Sequence, residues 1–488
     1  MAQVKGQGGD TLLQRARPAT LALVMAKHGG LAVLLFAPPM IWAVWDAEHR
    51  LALMLGIPVL LGCLSVLAVW RKPLPDDLRG VEAMVSIALL FLTAALLSVP
   101  AFMALGLPVA AAFFEGMSAI TTTGLSMARD PDSWPFSAHV LRSWMQWIGG
   151  LAMATAVLAL VLGPGPAART LGKAGLDQRN RIQSARSQAR ELLGAYVMIT
   201  VVFAVAIALT LRRGDEGLVL AMSAVSTGGF APRSDSLASY DPLVQSLVIA
   251  ACVAGAVSLL AFAQAVRRGG TPLWRAQSVR RVALMTVVCA VVLAILYPFA
   301  DPDAGYFATF LNLLSAFSTA GYSTGPMPAV PALLGVFVMV MLIGGDRGST
   351  AGGIKLWRIS ILMRAAKHAL ALPRMPERAV SPLRHHGHPV KDTFLVTILG
   401  LLLLYAFSVA LLWTMFVLLG HPPLPALFDT VSALSTVGLS TGVIGPDLPP
   451  AAQIAVSIGM WLGRLEFIAV LVLVLPGTWT RARSRKGK

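Results

Sequence analysis

A nine-residue pattern occurs four times in this chain: SAITTTGLS from Ser118, SAVSTGGFA from Ser223, SAFSTAGYS from Ser315 and SALSTVGLS from Ser432. Each copy reads Ser-Ala-x-Ser/Thr-Thr-x-Gly, followed by an apolar or aromatic residue and a small one. The copies stand about 90 to 120 residues apart, so the chain is read first as a set of repeats and only then residue by residue.

The repeats sit in a chain built for lipid. Runs such as Leu151–Leu162, Val197–Leu211 and Thr397–Leu419 are almost purely apolar, 56% of all residues are hydrophobic, and only 13% are charged. A soluble globular chain carries about twice that charged share. Cys63, Cys252 and Cys289 each lie in an apolar run and form neither a metal spacing nor a disulfide framework, so they read as small hydrophobes. The first apolar span lacks a small-residue cleavage site and leads directly into a second, so it is expected to be retained.

The net charge of +16 resembles a nucleic-acid footprint until it is mapped. Bases cluster in alternate connections: Arg71/Lys72/Arg79, Arg169 to Arg190, Arg267 to Arg281, Arg358 to Lys391, and the tail Arg481–Lys488. The other connections carry acids: Asp46/Glu48, Asp130/Asp132, Asp215/Glu216, Asp301/Asp303 and Asp447. This alternation is the positive-inside pattern; it places both termini in the cytoplasm and removes the case for nucleic acid.

A bilayer core of roughly 30 Å takes about 20 apolar residues per helix. Candidate spans lie near 21–45, 51–70, 81–105, 139–163, 190–212, 242–266, 281–300, 330–363, 391–420 and 453–476. Ten spans put every basic loop on one side. Between the third and fourth lies a segment too short to cross, Val109–Thr122, which ends in the first pattern. The same half-span recurs before each later copy, always on the outside. The expected fold is an all-α integral membrane protein with four fused span–pore-helix–span repeats around one pore, plus two leading transmembrane helices. The expected divisions are 1–78 (N-terminal segment and the two extra helices), 79–168, 186–268, 279–365 and 389–478. The eighth span is interrupted by Gly344-Gly345-Asp346-Arg347-Gly348-Ser349-Thr350-Ala351-Gly352-Gly353. Five glycines in ten residues do not hold a helix, and irregular backbone at membrane depth survives only inside protein or along a wet cavity. Gly149-Gly150 and Gly255 occupy related places, where their helices are expected to loosen or pack closely.

A cation entering a membrane needs oxygens in place of its water, and rings of backbone carbonyls supply them. Turning consecutive carbonyls inward demands unusual dihedrals, which glycine adopts at low cost. Gly124, Gly229, Gly321 and Gly438 all hold the seventh place of the pattern, two residues after Thr122, Thr227, Thr319 and Thr436. Between them stand Thr123, Gly228, Ala320 and Val437. Each half-helix aims its partly negative C-terminus at this point. A selectivity filter for a dehydrated cation is therefore expected at these twelve residues. Small residues serving only helix packing are the alternative for any one copy; four aligned copies on one side argue against it.

With these residues in view, the chain resembles the Trk/Ktr/HKT superfamily of potassium transporters, and its bacterial TrkH-type uptake subunits in particular. The likeness covers nearly the whole chain. It rests on the four filter loops, on Gln146-Trp147-Ile148-Gly149-Gly150, on Gly348-Ser349-Thr350-Ala351-Gly352-Gly353-Ile354-Lys355 and on Gly463-Arg464-Leu465-Glu466. The two leading spans favour the TrkH type over the eight-span Ktr type. A serine at the first filter glycine goes with sodium selectivity in plant members; Gly124 here makes the resemblance imply K+ as the transported ion. It also implies a bacterial inner membrane, a homodimer, and a cytosolic nucleotide-binding regulatory ring of the TrkA type as partner. Two departures stand out: Asp346-Arg347, where the family has small or neutral residues, and Cys252-Val253-Ala254-Gly255-Ala256, where a glycine pair is usual.

Arg464 falls near the middle of the last span, where a charge costs at least a few kcal/mol unless it faces a cavity or a partner. One reading is an ion pair, with Asp346 as the candidate partner. The other, implied by the family, is a positive barrier below the filter beside the broken-helix loop. The gate would then comprise Arg464 with Gly345, Asp346, Arg347, Gly348, Ser349, Thr350, Gly352 and Gly353. Glu466, two residues on, reads as a packing or interface residue. The glycine-rich run fails as a phosphate cradle, since its lysine follows isoleucine and no strand precedes it. His385-His386-Gly387-His388 lacks the cysteines or spaced carboxylates of a metal site and reads as a solvated loop. No nucleophile–base pair marks an enzyme. A proton- or sodium-coupled secondary transporter is the alternative function; repeats that all run the same way, with no relay acid in a span, favour a channel-like path. The basic loops also suit anionic lipid headgroups.

Overall fold

The structure, a computed structural model, describes residues 15–73, 78–162, 178–267, 273–299, 305–374, 376, 383–385, 388–390 and 392–480. Residues 169–177 of the basic stretch from Arg169, the acids Asp301 and Asp303, His386, Lys391 and the tail from Arg481 lie outside these residues. The described residues are mostly helical; a hairpin of two-residue strands, β1 (Arg384–His385) with β2 (His388–Pro389), sits between helices.

Helices α1 (Pro18–Lys27), α2 (Gly29–Trp45) and α3 (His49–Ala68) lead. The first expected span is thus two helices that meet at His28. A threefold unit of long helix, short apolar helix and inner helix then recurs. Its first copy is α4 (Gly80–Ala104), α5 (Val109–Ile120) and α6 (Phe136–Leu162). Its second is α7 (Gln178–Leu211), α8 (Gly214–Val225), α9 (Pro242–Ala256) and α10 (Leu259–Arg267). Then come α11 (Gln277–Leu296), α12 (Tyr306–Ser318), α13 (Pro331–Ile343) and α14 (Leu356–Ala371), and finally α15 (Asp392–Leu418), α16 (Pro423–Leu434), α17 (Pro450–Arg464) and α18 (Ile468–Val474).

Six of the described helical stretches are long and apolar enough to cross a membrane, or eight if each of two bent pairs is one span. The other two expected spans fall on α6 and on the interrupted pair α13/α14. The outer helices carry exposed apolar stripes at helical spacing, such as Leu284, Val287, Val291 and Ile295 on α11, and Leu403, Phe407, Leu411 and Leu418 on α15. In water such stripes would be costly, whereas against acyl chains they are the expected surface. Inside, one apolar core gathers the second and third units around Tyr196, Phe317 and Phe337. A second joins the leading helices to the first and fourth units around Phe36, Phe114 and Trp461.

Two further inner helices are broken, one at Gly255, where loosening or close packing was expected, and one in the last span, which was expected to be continuous. The chain bends by 88° between α9 and α10 and by 119° between α17 and α18. The first break follows Gly255, which packs against the Val225 carbonyl, and the freed peptide groups bond to the loop between α13 and α14. The second break turns on Glu466 and Phe467, both at positive φ (52° and 64°). Helix α6, by contrast, is unbroken, and its glycines serve close packing.

That packing follows one rule. A β-carbon on Gly149, Gly255 or Gly463 would come within 3.0 Å of the last-turn carbonyl of the short helix in the same unit, at Ile120, Val225 and Leu434. Gly194, exposed on α7, has nothing within 4 Å. Gly149→Ala should therefore cost about 1–3 kcal/mol by overpacking, whereas Gly194→Ala should stabilise by up to about 1 kcal/mol. Thermal unfolding of the two variants in detergent should move in opposite directions.

Candidate functional site

Each short helix ends in the same cap. The peptide N–H of the pattern's sixth residue bonds to the carbonyl of its first: Thr123 to Ser118 (2.9 Å), Gly228 to Ser223 (2.8 Å), Ala320 to Ser315 (3.0 Å) and Val437 to Ser432 (2.8 Å). The fifth residue's N–H bonds to the second's carbonyl at 2.9–3.2 Å, as at Thr227–Ala224 and Thr436–Ala433. This 6→1, 5→2 pair is the Schellman cap, whose left-handed residue is usually glycine. Here it is threonine every time: Thr122, Thr227 and Thr319 at φ 55° and Thr436 at φ 52°. A β-branched residue in that region costs roughly 1–2 kcal/mol, so the fourfold threonine is retained against backbone preference.

After the cap each strand passes a left-handed glycine, with φ of 87° at Gly124, 80° at Gly229, 79° at Gly321 and 102° at Gly438. The four strands touch in cyclic order. A β-carbon on Gly124 would collide with the carbonyl of Gly228, one on Gly229 with that of Ala320, one on Gly321 with that of Val437, and one on Gly438 with that of Thr123. All four glycines line the floor of one outward cavity of about 400 Å³. The twelve residues singled out from the sequence thus lie around a single axis. Thr122 and Thr436 hold buried hydroxyls with no hydrogen-bond partner among the described residues.

The strands are braced from behind by residues that the sequence reading passed over. Glu115 accepts from Ser126 Oγ (2.9 Å) and Met127 N (2.9 Å) and pairs with buried Arg142 (3.2 Å), whose guanidinium lies 3.9 Å from the Phe230 ring centroid. Asn312 accepts from Thr324 N (2.7 Å) and Oγ1 (3.0 Å). Asp429 accepts from Thr441 N, Ile444 N, Ser440 Oγ and Thr441 Oγ1 at 2.6–2.8 Å. All three stand three residues before the pattern's first serine, where the second copy has Leu220. A polar residue recurring at that place in otherwise apolar half-helices was the signal available.

The interruption between α13 and α14 lies against the inner side of this ring. Gly352 N donates to Thr319 Oγ1 (2.6 Å), a β-carbon on Gly352 would strike Thr436 Oγ1, and Thr350 Oγ1 lies 3.5 Å from Thr227 Oγ1. Thr350 Oγ1 also lies within hydrogen-bond distance of the carbonyls of Val225 (2.9 Å) and Gly255 (3.0 Å), either of which can accept its one proton. Gly344, Gly348 and Gly353 take positive φ. Asp346 N bonds to Ala256 O, Leu259 N to Gly348 O and Leu356 N to Gly345 O, so the loop satisfies both itself and the α9/α10 break. Ser349 Oγ closes on Asp346 O (2.6 Å). Arg347 points outward, its guanidinium 5.1 Å from the Trp357 ring.

Arg464 is buried and donates from Nη1 to the Thr350 carbonyl (2.9 Å), while its Nε and Nη2 have no protein partner. The suggested Arg464–Asp346 pair is not formed: Asp346 is held by Arg281 of α11 (Nη2 to Oδ2, 2.7 Å), which reaches it first from the neighbouring helix. Glu466 is not a mere packing residue; the turn at positive φ aims it at Arg358 of α14, with which it forms an ion pair. Among the described residues no cluster of His, Cys, Asp or Glu fits a metal ion.

The chain resembles known proteins over most of its length. Residues 94–477 match the TrkH family model, described as cation transport protein. The chain is 28% identical over 470 residues to the Trk system potassium uptake protein TrkI of Halomonas elongata, covering 92% of this chain and 94% of that one. It is 26% identical over 383 residues to TrkH of Escherichia coli (75% and 79% covered) and 26% identical over 411 residues to an uncharacterized cation transporter of Methanocaldococcus jannaschii (83% and 84%). The crystal structure of the potassium transporter TrkH from Vibrio parahaemolyticus superposes with a TM-score of 0.84 at 21% identity, covering 95% of this chain and all of that one.

Removing a brace strands its donors, and each buried donor left unpaired costs about 1–3 kcal/mol. Asp429→Ala orphans the peptide N–H groups of Thr441 and Ile444, and Asn312→Ala only that of Thr324, because the hydroxyls of Ser440, Thr441 and Thr324 each keep a carbonyl in reach. Asp429→Ala should lower the unfolding temperature in detergent more than Asn312→Ala does.

Proposed function

Since the chain belongs to the TrkH family of cation transport proteins, we propose that it takes up potassium, and that the ion crosses through the ring of Thr122–Gly124, Thr227–Gly229, Thr319–Gly321 and Thr436–Gly438. It is a multi-pass membrane transporter and not an enzyme. The observation that carries this reading is the cyclic contact of each filter glycine with the next strand's carbonyl. Four strands so close bring neutral backbone oxygens together, with four helix C-termini aimed at them. A dehydrated monovalent cation suits such a ring.

The two leading helices and four pore units divide the chain at 1–78, 79–168, 186–268, 279–365 and 389–478. Charge alternation supports cytoplasmic termini and a bacterial inner membrane. A homodimer and a cytosolic nucleotide-binding ring complete the proposed assembly. The loop 344–353 and Arg464 form the gate. Thr350 lies against Thr227 while its carbonyl accepts from Arg464, so a fixed positive charge stands immediately under the ring. A buried guanidinium in low dielectric raises the barrier to any cation passing it.

In reconstituted vesicles the protein should take up K+ and Rb+ over Na+, at a rate that an imposed pH gradient leaves unchanged. Gly124→Ser should reduce the preference for K+. Uptake that follows the proton gradient would instead favour the coupled-transport reading. Arg464→Ala and deletion of the loop should each raise K+ flux or free it from regulation; unchanged flux in both removes the gate from this account.

A further inference from the structure

The sixth place of the pattern holds Thr123, Ala320 and Val437 in three copies but glycine, Gly228, in the second. Backbone strain does not demand it, since Gly228 is absent from the positive-φ positions. Room does. A β-carbon there would come within 3.0 Å of the carboxamide carbon, oxygen and nitrogen of Gln146. Gln146 is fully buried and belongs to α6, the inner helix of the preceding unit. Its Nε2 donates to the Gly228 carbonyl (2.5 Å), and its Oε1 accepts from Ser223 Oγ (2.5 Å) and Phe230 N (3.4 Å). The Phe230 N–H is a fixed donor, so it sets the oxygen on its side and the amide nitrogen on the carbonyl's. Three residues before the packing glycine, where α6 has Gln146, α9 has Cys252 and α17 has Met460, which offer no comparable donor.

We propose that Gln146 is a positioning residue that sets potassium discrimination through the second filter strand. An accepted hydrogen bond takes up part of the Gly228 carbonyl's capacity and holds its direction. Discrimination between alkali ions depends on the field strength and rigidity of such carbonyls. The filter is thus fourfold in backbone and asymmetric in ligand strength. This inference rests on the filter reading above.

The test is K+ and Na+ uptake in vesicles by the full-length wild type, Gln146→Leu, Gln146→Glu, Gly228→Ala and the double variant Gly228→Ala/Gln146→Ala. Losing the donor should lower the K+/Na+ uptake ratio of Gln146→Leu and Gln146→Glu by about 2- to 10-fold, the worth of one net hydrogen bond. Gly228→Ala should lose transport by collision with Gln146, and the double variant should regain it. Gln146→Glu, which is isosteric, carries the test should the leucine variant misfold. An unchanged ratio in the glutamate variant, or wild-type transport by Gly228→Ala alone, overturns the inference and leaves the filter standing. A wild type that does not prefer K+ to Na+ overturns both.

Discussion

Oxygens that replace water around an ion must lie within ångströms of one another, and four backbones can come that close only where side chains are absent. Everything in the proposed filter follows from this crowding. Gly124, Gly229, Gly321 and Gly438 are glycine because the next strand's carbonyl occupies the place of a β-carbon. The threonines before them turn the helix end through a left-handed residue, so each short helix points its carbonyl end at the axis and then releases the strand. Strain of this kind persists only where surroundings over-determine it. The surroundings here are the buried braces Glu115, Asn312, Asp429 and Gln146. They differ from copy to copy, so a nearly fourfold backbone is held by four unlike sets of side chains.

The sequence made the scaffold legible and left its joints hidden. Apolar run lengths and the repeated pattern led to the helix order and to the four strands, because both depend on local composition. The break at α17/α18 was invisible and the one at α9/α10 showed only as Gly255, because their cause lies elsewhere in the chain. Val257 and Ser258 read as an ordinary apolar continuation, and only the loop from the next unit, bonding to Ala256, Leu259 and Gly255, makes a break there inexpensive. The same holds for Arg464. Its burial was readable from its place in the span, but its partner, a backbone carbonyl 114 residues away, has no sequence signature. Asp346 looked like the natural counter-charge, yet Arg281 holds it. Glu115 and Asp429 were passed over because a lone acid in an apolar half-helix reads as noise until the donors of the descending strand are seen around it.

The two departures from the family pattern become intelligible together. Asp346-Arg347 puts a charged pair into a loop that lies in the membrane. Each charge has an outlet: Asp346 reaches Arg281 on α11, and Arg347 lies against Trp357 at the start of α14. The weakened glycine pair at Cys252–Ala256 leaves Gly255, the one position where a β-carbon would strike Val225 and Thr350. What the second unit keeps is the contact that geometry requires; what it gives up, its fully buried neighbours fill.

In the proposed gate these contacts separate the part that stays fixed from the part that moves. The loop 344–353 bonds to the break of α9/α10 through Gly348 and Asp346, and to α17 through Thr350 and Arg464. Glu466, in the α17/α18 break, pairs with Arg358 of α14, the helix that continues the loop. Three inner helices are therefore broken at one level and tied to one another by the same segment. In the proposed gate, displacing it would carry α10, α14 and α17 with it, and a break already present would absorb the rotation without unwinding a helix. Helix α6 is outside this linkage. It is one uninterrupted helix, its Gly149 and Gly150 are packed against Ile120, Ser226 and Tyr196, and from it Gln146 reaches the second filter strand. A path that opens on the inner side while holding its selectivity needs such a division: the ring must stay still as the floor beneath it moves.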